Sequence, residues 1–172
     1  MKVVLISGLK RSGKDYVSDM LKITKLSFAK PLKMILAETL SLKMSELENF
    51  KNQELDIKVG NLICTDFRTA LQKFGTEVMQ SWFGKDVWVD LLIDNLPDVE
   101  CVVVSDWRFK REYEVLSEKF DVFTVRVEDY NLTPDEHKSE QDLLDFKFDY
   151  KIDNSNKGFV DIKPIKVWLG IS

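Results

Sequence analysis

Histidine is almost missing from this chain of 172 residues: His137 is the single one, which excludes a histidine metal cluster. Cysteine is nearly as scarce. Cys64 and Cys101 are spaced for neither a metal site nor a disulfide framework, and Cys101 opens an apolar strand where a thiol behaves as a small hydrophobe. No stretch approaches the roughly eighteen apolar residues of a membrane span, and the N-terminus reads as a strand without a signal-peptide core, so a soluble, cytoplasmic protein with no membrane partner is expected. The net charge is −4 and the basic residues do not cluster, which argues against a nucleic-acid partner and for a small anionic ligand held locally. With seven glycines and four prolines there is no low-complexity run, repeat or linker. A composition 44% hydrophobic and 31% charged suits one domain over residues 1–172 with a full core.

What glycine there is falls where it matters. Met1-Lys2-Val3-Val4-Leu5-Ile6 is an apolar, β-branched run that feeds into Ser7-Gly8-Leu9-Lys10-Arg11-Ser12-Gly13-Lys14-Asp15. Gly8 and Gly13 flank four residues and Lys14 follows at once, the Gly-x4-Gly-Lys spacing of a nucleoside triphosphate P-loop. Glycines let successive backbone N–H groups turn inward around a phosphate, and the lysine ammonium reaches the outer phosphates. Val17, Met20 and Leu21 then recur at helical spacing, so the context is strand, loop, helix. Most P-loops place Ser or Thr after the lysine to hold Mg²⁺; here the residue is Asp15. Two readings stay open, a carboxylate ligand to the metal or an aspartate that complements a helix dipole in its first turn.

Strands are predicted at about 2–7, 25–29, 100–105, 121–127 and 148–153, alternating with helical periodicity, which implies an α/β domain with a parallel sheet. Helices are expected over 31–42, 65–83, 85–96, 110–119 and 158–169. Between about 30 and 97 the sequence shows helices and no clear strand, a helical excursion of the kind in which nucleotide kinases place the acceptor pocket.

Other groups suit a phosphate site. Cys101-Val102-Val103-Val104-Ser105-Asp106 is apolar and ends on a carboxylate, the pattern of a Walker-B strand. Arg108, two residues on, suits bidentate contact with a phosphoryl group, or a surface salt bridge at the start of the next helix. Arg68, Gln72, Gly75 and Thr76 share a helical stripe that could recognise an anion and a base edge, but the residues alone favour a solvated face, because charged stripes usually face water. Trp88 suits a core or a stacking platform. The polar stretch from Arg126 through about 128–141, with Lys138 and His137, reads either as a lid over the donor phosphates or as an exposed connection.

Taken in order, Gly8 to Asp15, Phe28-Ala29-Lys30-Pro31-Leu32-Lys33, Leu71-Gln72-Lys73-Phe74-Gly75-Thr76-Glu77, Asp86-Val87-Trp88, Ser105-Asp106-Trp107-Arg108-Phe109 and His137-Lys138-Ser139-Glu140 resemble bacteriophage deoxynucleoside monophosphate kinases over almost the whole length. The resemblance implies a three-layer P-loop kinase fold: a five-stranded parallel sheet with helices on both faces, a helical acceptor-binding insertion at about 30–97 and a short lid at about 128–141. It implies transfer of the ATP γ-phosphoryl group to a deoxynucleoside monophosphate, with Mg²⁺. On that resemblance Gly8, Lys10, Arg11, Ser12, Gly13, Lys14, Asp15 and Tyr16 hold the donor, with Asp153 and Asn154 near the adenine. Asp15 and Asp106 organise the metal, and Arg108 and Arg126 stabilise the moving phosphoryl group. Lys30, Arg68, Gln72, Thr76, Trp88, Arg108, His137 and Glu140 serve the acceptor. Tyr16 departs from the small hydroxyl residue expected there. Other small P-loop kinases, similar to dephospho-coenzyme A kinase or phosphomevalonate kinase, share the donor loop, and so does a non-catalytic nucleotide-binding module. A homodimer is left open.

Overall fold

The computed structural model describes the backbone of residues 1–50, 54–59, 62–132 and 141–171, and their side chains except at 48–50, 54–59, 62–66, 68 and 72. The chain divides into two compact units, Met1–Ser27 with Asn95–Ser172, and Phe28–Asp94.

The first unit is built on a five-stranded, all-parallel sheet. Its strands are β1 (Lys2–Gly8), β2 (Thr24–Leu26), β5 (Cys101–Val104), β6 (Asp121–Glu128) and β7 (Tyr150–Asp153), in the spatial order β2-β5-β1-β6-β7. Val3, Val4, Leu5 and Ile6 are all fully buried, which requires both faces of β1 to be covered and explains why its sequence is a continuous apolar run and not an alternation. On one face Val4, Ile6, Val103, Val125, Val127 and Ile152 pack with Val17 and Leu21, which belong to or follow helix α1 (Lys14–Met20). Ile165 and Leu169 join them from the C-terminal helix α8 (Lys163–Leu169). Lys2 fastens α8 further, donating from Nζ to the carbonyls of Trp168 at 2.6 Å and Leu169 at 3.3 Å, where a cation complements the helix C-terminus. Helix α7 (Lys110–Ser117) runs between β5 and β6.

The order reverses across β1: the chain leaves it for β2 on one side and later reaches β6 on the other. In open α/β sheets such a switch leaves a crevice beyond the strands' C-terminal ends. The register puts Ser7 opposite Arg126 and Gly8 opposite Val127 there, while Leu5 pairs with Val104, two residues before Asp106.

The second unit holds α2 (Ala29–Thr39), α3 (Met44–Phe50), the antiparallel strands β3 (Glu54–Val59) and β4 (Leu62–Asp66), α4 (Phe67–Lys73), a π-helical segment over Phe74–Gln80, α5 (Ser81–Phe83) and α6 (Val87–Asp94). The β3-β4 pair corrects the expectation of helices alone in this stretch. Leu55, Ile57 and Val59 do alternate, and Gly60-Asn61 follows, which is a hairpin signature. Its core gathers Leu36, Ala37, Leu47, Phe67 and Ala70. Pro31 lies in the first turn of α2, where its missing N–H costs nothing.

Two further expectations change. The helix foreseen over 65–83 switches to π geometry at Phe74, so the 3.6-residue stripe does not continue from Arg68 through Gly75 and Thr76. Gly75 is buried there, where a Cβ would lie 3.1 Å from Leu32 Cδ2, and its carbonyl accepts from Trp88 Nε1 at 3.4 Å. The helix foreseen over 158–169 begins only at Lys163, after a non-helical segment whose Asn154 and Lys157 bond to the first loop. Among the described residues no helix is long and apolar enough to cross a membrane.

Candidate phosphate site at the head of the parallel sheet

The loop after β1 closes on itself. Ser12 N–H donates to the Leu9 carbonyl at 3.1 Å, and Lys14 Nζ donates to the carbonyls of Gly8 at 2.8 Å and Leu9 at 2.7 Å. Two glycines are required. Gly8 has φ +155°, and a Cβ on it would meet the Val127 carbonyl and stand 2.6 Å from Ser12 Oγ. Gly13 has φ +98°, and a Cβ on it would run into the Asn154 side-chain amide. Ser12 is fully buried, and its Oγ has no hydrogen-bond partner among the described residues. A buried hydroxyl left without a partner is unusual in a folded protein and is the kind of group that a ligand oxygen satisfies.

Ser7, Gly8, Leu9, Lys14, Asp106, Trp107, Arg108, Arg126 and Leu143 line one cavity. Three cations, Lys14, Arg108 and Arg126, thus face one carboxylate, Asp106. The elements explain the convergence. Asp106 follows the end of β5 and accepts from Ser27 Oγ at 2.6 Å. Arg126, near the end of β6, donates to Ser7 Oγ at 3.3 Å, and its guanidinium carbon stands 5.7 Å from the centre of the Phe148 ring. Trp107 is 1% exposed and packs edge-on against Phe146 at 4.9 Å and Phe148 at 5.4 Å. Its indole N–H donates to the Phe109 carbonyl at 2.8 Å, so the turn that carries Arg108 is anchored on both sides. Glu112 fastens the turn again: its carboxyl Oε2 accepts from the backbone N–H of Arg108 and of Phe109, each at 3.0 Å. Burial pushes the Glu112 carboxyl up to about 8.

Asp15 lies beside this cavity without lining it. Its carboxylate accepts from Lys25 Nζ at 2.9 Å and from Ser105 Oγ at 3.3 Å. Neighbouring protein atoms work against its charge, but Lys25, with Ser105 and Lys14, outweighs them and holds the carboxyl below the usual range. Among the described residues no three His, Cys, Asp or Glu side chains are placed to hold a metal between them. The carboxylates at and beside the cavity are Asp106, bonded to Ser27, and Asp15, already paired with Lys25. Mg²⁺ is commonly held by one or two carboxylates together with ligand phosphates.

The remaining candidates separate. Lys10, Arg11 and Tyr16 are exposed at the loop and the first turn of α1. Asp153 is exposed and accepts from Ser155 N–H at 2.9 Å, while Asn154 is 2% exposed beneath the loop. In the second unit Lys30 and Thr76 are exposed, whereas Trp88 is buried in the core. Arg68 and Gln72 are carried by α4. His137 and Glu140, with residues 133–140 of the expected lid, lie outside the described residues.

Sequence reasoning did not single out Ser7, Lys25, Ser27, Trp107, Glu112 or Leu143. Ser7 and Trp107 adjoin motif residues and were within reach. Lys25 and Ser27 carry no local signal, because only the β2-β5 pairing brings them to this edge. Comparison with protein-family models and with curated proteins gives no match for the chain.

Proposed function

We propose that the chain is an ATP-dependent phosphotransferase that moves the γ-phosphoryl group to a deoxynucleoside monophosphate, giving ADP and a deoxynucleoside diphosphate. The observation that carries the reading is the cavity in which the glycine loop and Lys14 meet Asp106, Arg108 and Arg126. A module that only bound nucleotide would need the loop but not two arginines aimed at the same place. The choice of acceptor rests on the resemblance of residues 28–33, 71–77, 86–88 and 137–140 to that kinase family. The second unit would then be the acceptor-binding insertion of a P-loop kinase fold.

Phosphoryl transfer asks little covalent chemistry of a protein; positioning and positive charge over the transferring group suffice. Loop amides and Lys14 would bind the β- and γ-phosphates. Arg108 and Arg126 would share the charge of the γ-phosphoryl oxygens, Arg126 from a rigid strand and Arg108 from the anchored turn. Asp15 and Asp106 would hold Mg²⁺, which when bound supplies charge neutralisation on the donor phosphates. No residue needs to act as a nucleophile.

The test is a coupled ADP-release assay with Mg·ATP and a panel of deoxy- and ribonucleoside monophosphates, with dephospho-coenzyme A and phosphomevalonate as controls. Turnover with at least one deoxynucleotide is expected. Turnover only with a control moves the protein to another small kinase class. ATP binding without transfer to any acceptor leaves the binding module.

A further inference from the structure

Asn154 and Lys157 reach the phosphate loop from behind. Asn154 Nδ2 donates to the Ser12 carbonyl at 2.7 Å, while its Oδ1 accepts from Gly158 N–H at 3.2 Å. Lys157 Nζ donates to the Arg11 carbonyl at 3.2 Å and pairs with the carboxylate of Asp129, whose side chain is 1% exposed. Two consecutive loop carbonyls are thus drawn to the outside of the loop.

A trans peptide is planar, with its C=O and N–H pointing in opposite directions. Holding the Ser12 carbonyl on Asn154 therefore points the Gly13 N–H the other way, into the loop. The Arg11 carbonyl, held by Lys157, sets the Ser12 N–H in the same manner, and that N–H closes the turn onto Leu9. The absent side chain of Gly13 has a second use here, since a Cβ would occupy the place of the Asn154 amide.

The two residues are themselves held. Asp129 accepts from the Asn131 N–H at 3.0 Å and side-chain amide at 3.1 Å, and Asn131 donates to the Ser155 carbonyl at 3.2 Å. Tyr130 N–H donates to Ser155 Oγ at 2.9 Å, and Asn154 N–H to the Glu128 carbonyl at 2.8 Å. The segments leaving β6 and β7 therefore form one bonded body that grips the loop.

We propose that Asn154 and Lys157, seated on Asp129, are positioning residues that hold the Gly8–Lys14 loop in its phosphate-binding shape. The proposal rests on the reading of that loop as the donor site. It assigns Asn154, 2% exposed beneath the loop, a role in shaping that loop through the bonds its amide makes to Ser12 and Gly158. The buried Ser12 hydroxyl within the same loop, without a partner among the described residues, is the second sign that the shape so held takes a ligand.

Asn154→Asp tests this sharply. The substitution keeps the shape and the acceptor for Gly158 but replaces the donor to Ser12 with a negative charge, so Asn154→Leu, which removes the donor without adding charge, is expected to lower affinity alongside it. Lys157→Met removes the second tie and is the fallback if the first variant does not fold. Calorimetric titration of the full chain with ATP and with inorganic tripolyphosphate should show affinity falling about tenfold or more for Asn154→Asp and severalfold for Lys157→Met, the scale of one lost hydrogen bond. Steady-state kinetics should show a raised KM for ATP with the acceptor KM unchanged. Folded variants that bind tripolyphosphate like the parent overturn the proposal, as does parallel loss of ATP and acceptor affinity. A parent chain that binds neither ATP nor tripolyphosphate overturns the donor-site reading and the proposal together. A parent that binds ATP but transfers no phosphoryl group overturns the activity alone, and the affinities still decide the role of Asn154.

Discussion

Lys25 Nζ donates to the Asp15 carboxylate at 2.9 Å and to that of Asp19 at 3.0 Å, so the residue that follows the loop lysine carries its own countercharge. The first-turn aspartate is thus held at the sheet edge by a strand residue. Lys25→Met should raise the Asp15 pKa, read by NMR titration of the side-chain carboxyl, because the cation and hydrogen bond that favour the charged form are gone. Stability should fall by no more than about 1 kcal/mol, since the Asp15 side chain is 81% exposed. An unchanged titration would show that Lys25 does not set the charge of Asp15.

Three glycines with positive φ separate backbone strain from steric collision. Gly84 has φ +95° with nothing within 4 Å of a would-be Cβ, whereas Gly8 and Gly13 have both the conformation and an obstruction. Gly84→Ala should cost about 1 kcal/mol, and Gly8→Ala and Gly13→Ala distinctly more. Thermal denaturation should rank them in that order. Equal shifts would mean that the loop relaxes freely around a methyl group.

Removal of the cavity's cations should act on turnover and leave the fold intact. On the proposed activity Lys14→Ala and Arg108→Ala are each expected to lower kcat about a hundredfold or more, and both should fold, since neither side chain belongs to the hydrophobic core. Circular dichroism would establish that the variants are folded. Normal turnover in a folded Arg108→Ala protein would remove that arginine from the mechanism.

Glu112 supplies a pH signature. Burial raises its carboxyl to about 8 against the pull of two backbone N–H groups and Arg108, with Asp106 adding repulsion. The folded state therefore binds the proton more tightly than the unfolded chain. Its contribution is full below the ordinary carboxyl range, near 4.5, and is lost as pH rises through about 8. Denaturant unfolding between pH 4.5 and 8 should show that decline, and Glu112→Gln, which keeps an acceptor for the Arg108 and Phe109 amides, should flatten it. Identical slopes in the two proteins would remove Glu112 as the source.

The aromatic anchor of the Arg108 turn has a measurable value. Trp107→Ala empties a fully enclosed site between Tyr113, Phe146 and Phe148 and should cost about 3–5 kcal/mol. Chemical denaturation measures it. A loss below about 1 kcal/mol would mean that the cluster collapses into the space.

The loop side of the candidate site was legible because its information is local. Strand, Gly-x4-Gly-Lys loop and helix follow within twenty residues, and an apolar run ending in Ser105-Asp106 marks a second strand's C-terminal end without reference to the rest of the chain. The β3-β4 pair was harder: its alternation is short and lies between helical segments, where local patterns of both periods compete. The π turn at Phe74 could not be read at all, since it accompanies a buried Gly75 between Leu32 and Trp88, residues distant in sequence.

By itself the sequence determined the alternation of strands and helices, the buried central strand and the loop's glycines, because periodicity and positive φ are properties of neighbouring residues. Only the tertiary structure decided which strands flank β1, and hence that Arg126, Asp106 and Lys14 share a cavity. It alone put Lys25 on Asp15 and Asn154 on the Ser12 carbonyl, pairings that span 10 and 142 residues. Those contacts depend on strand order and register, which are set when the whole sheet buries both of its faces at once.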